Sequence, residues 1–268
     1  MTDLSLELVC AHPDLPGSHP PLLFLHGAYA AAWCWQPYFL PYFAAQGYSA
    51  WALSLRGHGR SDGHGTLASW GIDDYVDDLA WAVGQIEAHH GRPPILIAHS
   101  MGAFVALRLA RQRLLPGLAL LAPVPPAGLL GSTLSLLWRD PLLLWELNLV
   151  QHGRQVPQLS SLRRLLFSPD MPETELAGYA RRFQRESDRA LLEMSLPQFD
   201  LRPPLGSPPL LVLGSRDDHL MPAMLVEAAA MSLGQPVQLV DGLGHVLMLD
   251  TRWRLVADSL RQWLEQGK

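Results

Sequence analysis

Three residues far apart in this chain could do chemistry together if the fold assembles them: a serine at 100, a histidine at 245, and an aspartate at 217 or 218. A serine hydroxyl is a weak nucleophile until a neighbouring base takes its proton. A histidine serves as that base when a carboxylate fixes its tautomer. The chemistry such a set supports is acyl transfer through a covalent intermediate on the serine. Ser100 lies in Ile95-Leu96-Ile97-Ala98-His99-Ser100-Met101-Gly102, where a short apolar run meets the start of a helical pattern. A serine at that junction can sit on a strained turn with its hydroxyl exposed. Strand and helix backbones pass close there, so the residues two positions either side must be small. Gly102 and Ala98 are both small, with alanine standing where glycine is usual. The Met101 N–H, at the helix start, can donate to a developing oxyanion.

A second donor is expected from Leu25-His26-Gly27-Ala28, which closes another apolar run. The His-Gly pair lets a backbone N–H turn toward the serine, and Ala28 is the residue assigned to it. His26 reads as a brace for that loop. Trp33 and Trp35 follow, at least one of them as a core aromatic. The carboxylate belongs to Gly214-Ser215-Arg216-Asp217-Asp218-His219-Leu220-Met221-Pro222, just past an apolar run. A helix beginning at Pro222 favours Asp218, four residues earlier; counting forward from Gly214 allows Asp217 instead. His219 reads as a loop residue. His245 sits in Asp241-Gly242-Leu243-Gly244-His245, where glycines free it to point back over the strands. The chain order of serine, acid and histidine is the one expected when the serine lies on a strand-to-helix elbow.

Each of these residues needs a strand end to hold it. Short apolar runs predict strands at 22–25, 49–55, 94–98, 118–121, 210–213 and 237–240. Helical periodicity predicts helices at 37–46, 72–89, 101–112 and 252–265, with a further helix opening at Pro222. This alternation argues for an α/β fold with a mostly parallel central sheet and helices on both faces. From 124 to 208 there is no strand pattern. Helical pieces take its place at 134–150, 160–167, 172–186 and 187–196, bounded by Pro123-Val124-Pro125-Pro126 and by Pro203-Pro204 through Pro208-Pro209. The expected division is a core of residues 1–123 and 209–268 with a helical cap, or lid, of residues 124–208. The apolar stretch from Leu134 to Trp145 either packs on the core, lines an acyl- or alkyl-binding pocket, or meets lipid.

Composition narrows the remaining classes. With 268 residues and 49% of them hydrophobic, the chain can bury one large core. A net charge of −5 is not the basic footprint of a nucleic-acid binder. Lys268 is the only lysine, so no Schiff-base or P-loop lysine lies inside the fold. A disulfide between Cys10 and Cys34 is open, but two cysteines make no framework, and neither lies in a metal-type spacing. The first residues lack a signal-peptide pattern. The uncharged stretch from Leu114 to Trp138 is interrupted by Pro116, Pro123, Pro125 and Pro126, which disqualifies it as a membrane span. The expectation is a soluble cytoplasmic protein with no metal or organic cofactor, no nucleic-acid partner and no stable membrane insertion. Its partner is a small-molecule ester.

The motifs resemble those of the α/β-hydrolase superfamily along nearly the whole chain. Ser54-Leu55-Arg56-Gly57-His58-Gly59-Arg60-Ser61 is similar to that family's loop after the second main strand. His26-Gly27-Ala28 followed by Trp33-Cys34-Trp35 resembles the branch of plant methyl esterases and hydroxynitrile lyases. The lyases of that branch carry a threonine after the first histidine and a lysine beside the catalytic one; here those places hold Gly27 and Val246. Members that form an alkyl-enzyme ester use an aspartate nucleophile, which Ser100 argues against. The resemblance therefore implies cleavage of a carboxylic ester of a small, largely apolar substrate through an acyl-enzyme on Ser100. Thioesterases, carbon–carbon bond hydrolases and cofactor-free haloperoxidase-like members share the same residues, and a non-catalytic small-molecule receptor on this fold is a further alternative.

Overall fold

The computed structural model describes residues 4–14, 18–125, 128–152, 158–196 and 205–266. Pro126, Pro203 and Pro204 of the proline-rich boundaries, the first three residues and Lys268 lie outside them. Apolar runs become strands because their side chains can be buried on both faces of a covered sheet. In chain order the strands and first helices are β1 (Leu8–Ala11), β2 (Leu22–Leu25), α1 (Phe39–Ala45), β3 (Ala50–Leu53), α2 (Ile72–His90), β4 (Ile95–His99), α3 (Met101–Ala110) and β5 (Leu118–Leu121). After β5, among the described residues, come five helices: α4 (Leu130–Arg139), α5 (Pro141–Gln151), α6 (Leu159–Leu166), α7 (Glu173–Ala180) and α8 (Asp188–Ser195). The chain then returns through β6 (Leu210–Ser215), α9 (Ala223–Ser232), β7 (Val237–Val240) and α10 (Trp253–Gln266).

The seven strands form one sheet in the order β1-β3-β2-β4-β5-β6-β7. All neighbours are parallel except β1, which runs antiparallel to β3. Side chains alternate between the faces with the period of two that a pleated strand imposes. Leu22, Phe24, Ile97 and Leu213 join one core with α1 and α10, whereas Leu23, Leu25, Ala98 and Val212 join another with α2, α3 and α9. The register pairs Leu25 with Ala98, His99 with Leu121 and Leu121 with Leu213, so the carboxyl ends of the central strands share one edge. In open α/β sheets that edge is where ligands bind.

Two helix expectations are corrected. The piece expected at 134–150 is two helices, because Pro141 brings no N–H to continue the first; Asp140 Oδ1 instead accepts from the Leu143 N–H at 3.0 Å and caps the second. The helix expected at 172–186 ends at Ala180, and the residues after it run past the core as a non-helical segment. The apolar stretch from Leu134 to Trp145 divides between two environments. Leu136 and Leu143 are buried, while Trp138, Leu142 and Trp145 keep 87%, 79% and 64% of their surface in solvent. Among the described residues, no helix is long and apolar enough to cross a membrane.

Candidate active site

Ser100 joins β4 to α3 with φ 51° and ψ −115°, a conformation that a residue with a Cβ rarely adopts. Such strain costs on the order of 1–3 kcal/mol, and the surroundings over-determine it. The Ser100 N–H donates to Leu121 O at 2.9 Å, and Ser100 O accepts from the Ala103 N–H at 3.0 Å. Two glycines let the neighbouring backbones close on this turn. A Cβ on Gly102 would lie 2.5 Å from His26 O and 2.9 Å from Leu25 O. A Cβ on Gly27 would lie 2.7 Å from His99 Nδ1 and 3.0 Å from Ser100 Cβ.

The structure brings Ser100, His245 and Asp218 together. His245 Nε2 lies 3.0 Å from Ser100 Oγ, and His245 Nδ1 lies 2.7 Å from Asp218 Oδ2. All three residues are buried. Asp218 has its other oxygen occupied: Oδ1 accepts from the N–H groups of Leu220 at 2.9 Å and Met221 at 2.7 Å. Asp217 is turned elsewhere, its Oδ2 accepting from the Gly242 N–H at 2.6 Å, and His219 is exposed. Ala28 and Met101 both line the cavity that opens at Ser100. Among the described residues, neither of their N–H groups donates to a protein acceptor, so both remain available to a ligand oxygen.

Three further histidines surround this group, and each is assigned by its partners. His26 is fully buried; its Nδ1–H donates to Gly27 O at 2.8 Å and its Nε2 accepts from the Leu55 N–H at 3.1 Å. Burial, and then the nearby His58, push its pKa down to about 3, so it is a neutral brace. His99 has no assigned role in the sequence, although a histidine ending an otherwise apolar strand was a visible signal. Its Nε2–H donates to His245 O at 2.9 Å and holds the histidine loop. Burial, followed by the His245 ring, keeps it well below the usual histidine range and therefore neutral. His58 lies farther out, against Glu186.

Gly244 serves a different purpose from the freedom expected of it. A Cβ there would lie 2.4 Å from Leu166 O, at the end of α6, and the Val246 N–H donates to that same carbonyl at 3.1 Å. Buried Asp250 ties the loop further, accepting from the Gly244 N–H at 2.7 Å and the Ser168 N–H at 2.8 Å. The helical segment thus grips the His245 loop directly.

Above Ser100 lies a cavity of about 910 Å³. Its lining is largely apolar, with Leu136, Leu143, Leu147 and Leu162 of α4 to α6 sharing it with Ser100 and His245. Trp33 and Trp35 are both buried in the core, and Cys34 between them reaches the cavity. Both described cysteines are free thiols. Among the described residues, no three His, Cys, Asp or Glu side chains cluster as a metal site would require. A serine hydroxyl within hydrogen-bond reach of an oriented imidazole, under an apolar cavity with two unengaged N–H groups, can deliver a nucleophile to a carbonyl carbon.

A family model described as the alpha/beta hydrolase family matches residues 22–259. No curated protein matches the chain. Solved structures share the fold at low identity. An esterase from Exiguobacterium antarcticum is 16% identical, with a TM-score of 0.74 over 98% of this chain and 95% of its own. A thermophilic esterase from Thermogutta terrifontis is 21% identical, with a TM-score of 0.69 over 98% of this chain and 94% of its own. A protein described as a non-heme bromoperoxidase, from Mycobacterium tuberculosis H37Rv, is 20% identical, with a TM-score of 0.75 over 98% of this chain and 97% of its own.

Proposed function

We propose, from the premise that this chain belongs to the alpha/beta hydrolase family, that it hydrolyses carboxylic esters through an acyl-enzyme on Ser100. The observation that carries this reading is the continuous relay from Asp218 Oδ2 through His245 to Ser100 Oγ, at 2.7 and 3.0 Å, on a strained turn facing an apolar cavity. Ser100 Oγ attacks the ester carbonyl while His245 Nε2 takes its proton. Asp218 keeps Nδ1 protonated and stabilises the imidazolium that results. The N–H groups of Ala28 and Met101 hold the tetrahedral oxyanion. The imidazolium then gives its proton to the departing alcohol. In the second half, water loses a proton to His245 and attacks the acyl carbon; as the bond from that carbon to Ser100 Oγ breaks, the imidazolium returns the proton to Oγ, releasing the carboxylic acid and restoring the serine. No metal or organic cofactor enters either half.

The helices between β5 and β6 act as a cap over this site, and their apolar wall receives the hydrocarbon part of the substrate. A volume of about 910 Å³ stands near the upper end of the roughly 300–1,000 Å³ typical of ligand pockets, so it takes a chain longer than acetate. Free thiols suit a reducing compartment, and we place the enzyme in the cytoplasm acting on a small-molecule ester. The test is a panel of p-nitrophenyl esters from short to long acyl chain, with acyl-CoA thioesters alongside, assayed with wild type and Ser100→Ala. Ester turnover lost in Ser100→Ala supports the reading. Thioester turnover at higher kcat/KM would move the substrate class, and turnover that survives the substitution would end the mechanism.

A further inference from the structure

The non-helical segment that follows α7 passes directly beside the loop carrying Ala28. The Gln184 N–H donates to Tyr29 O at 2.9 Å, and the Tyr29 N–H donates to Glu186 Oε2 at 3.3 Å. Tyr29 is therefore held by both of its backbone groups from the cap side. It needs holding, because its φ of 65° is left-handed in a residue that has a Cβ. Farther along the same loop, the Ala32 N–H is fastened to Ser54 Oγ at 3.0 Å.

Glu186 is 1% exposed, and both its oxygens are committed. Oε1 accepts from Tyr75 Oη–H at 2.8 Å and from the Ser187 N–H at 2.7 Å. Oε2 accepts from His58 Nε2–H at 3.0 Å as well as from Tyr29. His58 is buried and uses its other nitrogen to donate to Arg56 O at 3.0 Å. The Gln184 side chain spans the same turn, accepting from the Gly59 N–H at 3.0 Å and donating to Gly57 O at 2.7 Å. A buried ion pair adds little net stability over apolar packing of the same shape. What it supplies here is a fixed acceptor, anchored on α2 and on the 56–59 turn, at the peptide next to Ala28.

We infer that Glu186 is a positioning residue: its carboxylate fixes the Tyr29 peptide and through it aims the Ala28 N–H at the oxyanion. The inference rests on the reading that Ala28 holds that oxyanion, and it makes the cap part of the apparatus that stabilises the transition state. Displacing a group of this kind by about 1 Å can lower turnover about 100-fold.

Glu186→Gln removes the acceptor of the Tyr29 N–H, together with the buried charge opposite His58. With its amide oxygen in the place of Oε1, glutamine still accepts from Tyr75 and Ser187, and its NH₂ donates to a neutral His58 Nε2. It has no acceptor left for the Tyr29 N–H. The readouts are the rate at which a short-chain alkyl fluorophosphonate labels Ser100, followed by intact mass, and kcat and KM for p-nitrophenyl butyrate. The expected result is a fall of roughly 10- to 100-fold in labelling rate and kcat, with KM within about threefold, in a variant that still melts cooperatively. Gln184→Ala loosens the same segment without touching the buried charge, and its kcat falls in the same direction by a smaller factor. It carries the test if Glu186→Gln does not fold. Unchanged labelling and kcat in a folded variant overturn the inference alone, as does a raised KM with kcat intact. A wild-type enzyme that is not labelled at Ser100 overturns the acyl-enzyme reading, and the inference with it.

Discussion

Asp218→Asn should silence the enzyme although it changes the side chain by one atom. The structure fixes which way the asparagine sits. Asp218 Oδ1 accepts two backbone N–H groups, from Leu220 at 2.9 Å and Met221 at 2.7 Å. The amide oxygen must stay there, since turning an NH₂ toward two donors would forfeit both bonds at roughly 1–3 kcal/mol each. The NH₂ then faces His245 Nδ1, where the carboxylate oxygen stood at 2.7 Å. It donates to Nδ1, so the ring proton moves to Nε2, the nitrogen that has to accept from Ser100. The wrong tautomer costs about 10⁴-fold in kcat in a related relay, which corresponds to about 5.5 kcal/mol of barrier. Asp217→Asn keeps an oxygen for the Gly242 N–H, 2.6 Å away in the wild type, and should change kcat by less than about tenfold. Kinetics of both variants on one p-nitrophenyl ester decide the matter. Asp218 is not the acid that orients His245 if Asp217→Asn is the crippled enzyme, or if Asp218→Asn keeps more than about a tenth of wild-type kcat.

Gly27→Ala places a Cβ 2.7 Å from His99 Nδ1 and 3.0 Å from Ser100 Cβ; the shift it forces should lower kcat by about 10- to 100-fold, measured on a protein whose circular dichroism is unchanged. Each methylene that enters the apolar cavity contributes about 0.8 kcal/mol, so kcat/KM should climb about fourfold per CH₂ from p-nitrophenyl acetate toward hexanoate; a maximum at acetate would contradict the acyl-chain assignment. Burial works to lower the His58 pKa, but the Glu186 charge and hydrogen bond outweigh it, and the folded value is raised above 6.5. Its stabilising contribution is complete below 6.5 and lost as pH rises through the folded value. Burial works to raise Glu186, but the His58 charge and the bonds it accepts lower it below 4.5, so its contribution is present above 4.5 and lost as pH falls through the folded value. The difference in Tm between wild type and His58→Gln should therefore shrink as pH climbs above neutrality; a constant difference would show that His58 is not charged in the fold.

The central strands were legible because Leu22–Leu25 and Leu118–Leu121 are uninterrupted apolar runs, buried on both faces. β1 is absent from the strand expectations although Leu8-Val9-Cys10-Ala11 is apolar throughout and follows the alternation Leu4-Ser5-Leu6-Glu7; it differs from the central strands in being a half-buried edge strand, antiparallel to β3. The elbow at Ser100 and the loop at His245 announced themselves through small residues; Gly102 is required by the backbone carbonyls of Leu25 and His26, and Gly27 by the side chains of His99 and Ser100. Asp217 and Asp218 are chemically identical neighbours, so only the course of the turn separates them; the spacing to Pro222 favoured the one that meets His245. Glu186 was illegible. It stands in Arg181-Arg182-Phe183-Gln184-Arg185-Glu186, which reads as a solvated helical face. Its partners Tyr75 and His58 lie 111 and 128 positions away, and nothing local marks a carboxylate that the tertiary fold will bury.

Ester hydrolysis by this route requires Ser100 to be the activated nucleophile, and stoichiometric trapping tests that most directly. Wild-type enzyme treated with a fluorophosphonate should gain one phosphonyl group per chain, on the peptide containing Ser100, in step with the loss of ester hydrolysis. Activity that survives full labelling of Ser100, or that is lost as the label lands on another residue, would contradict it.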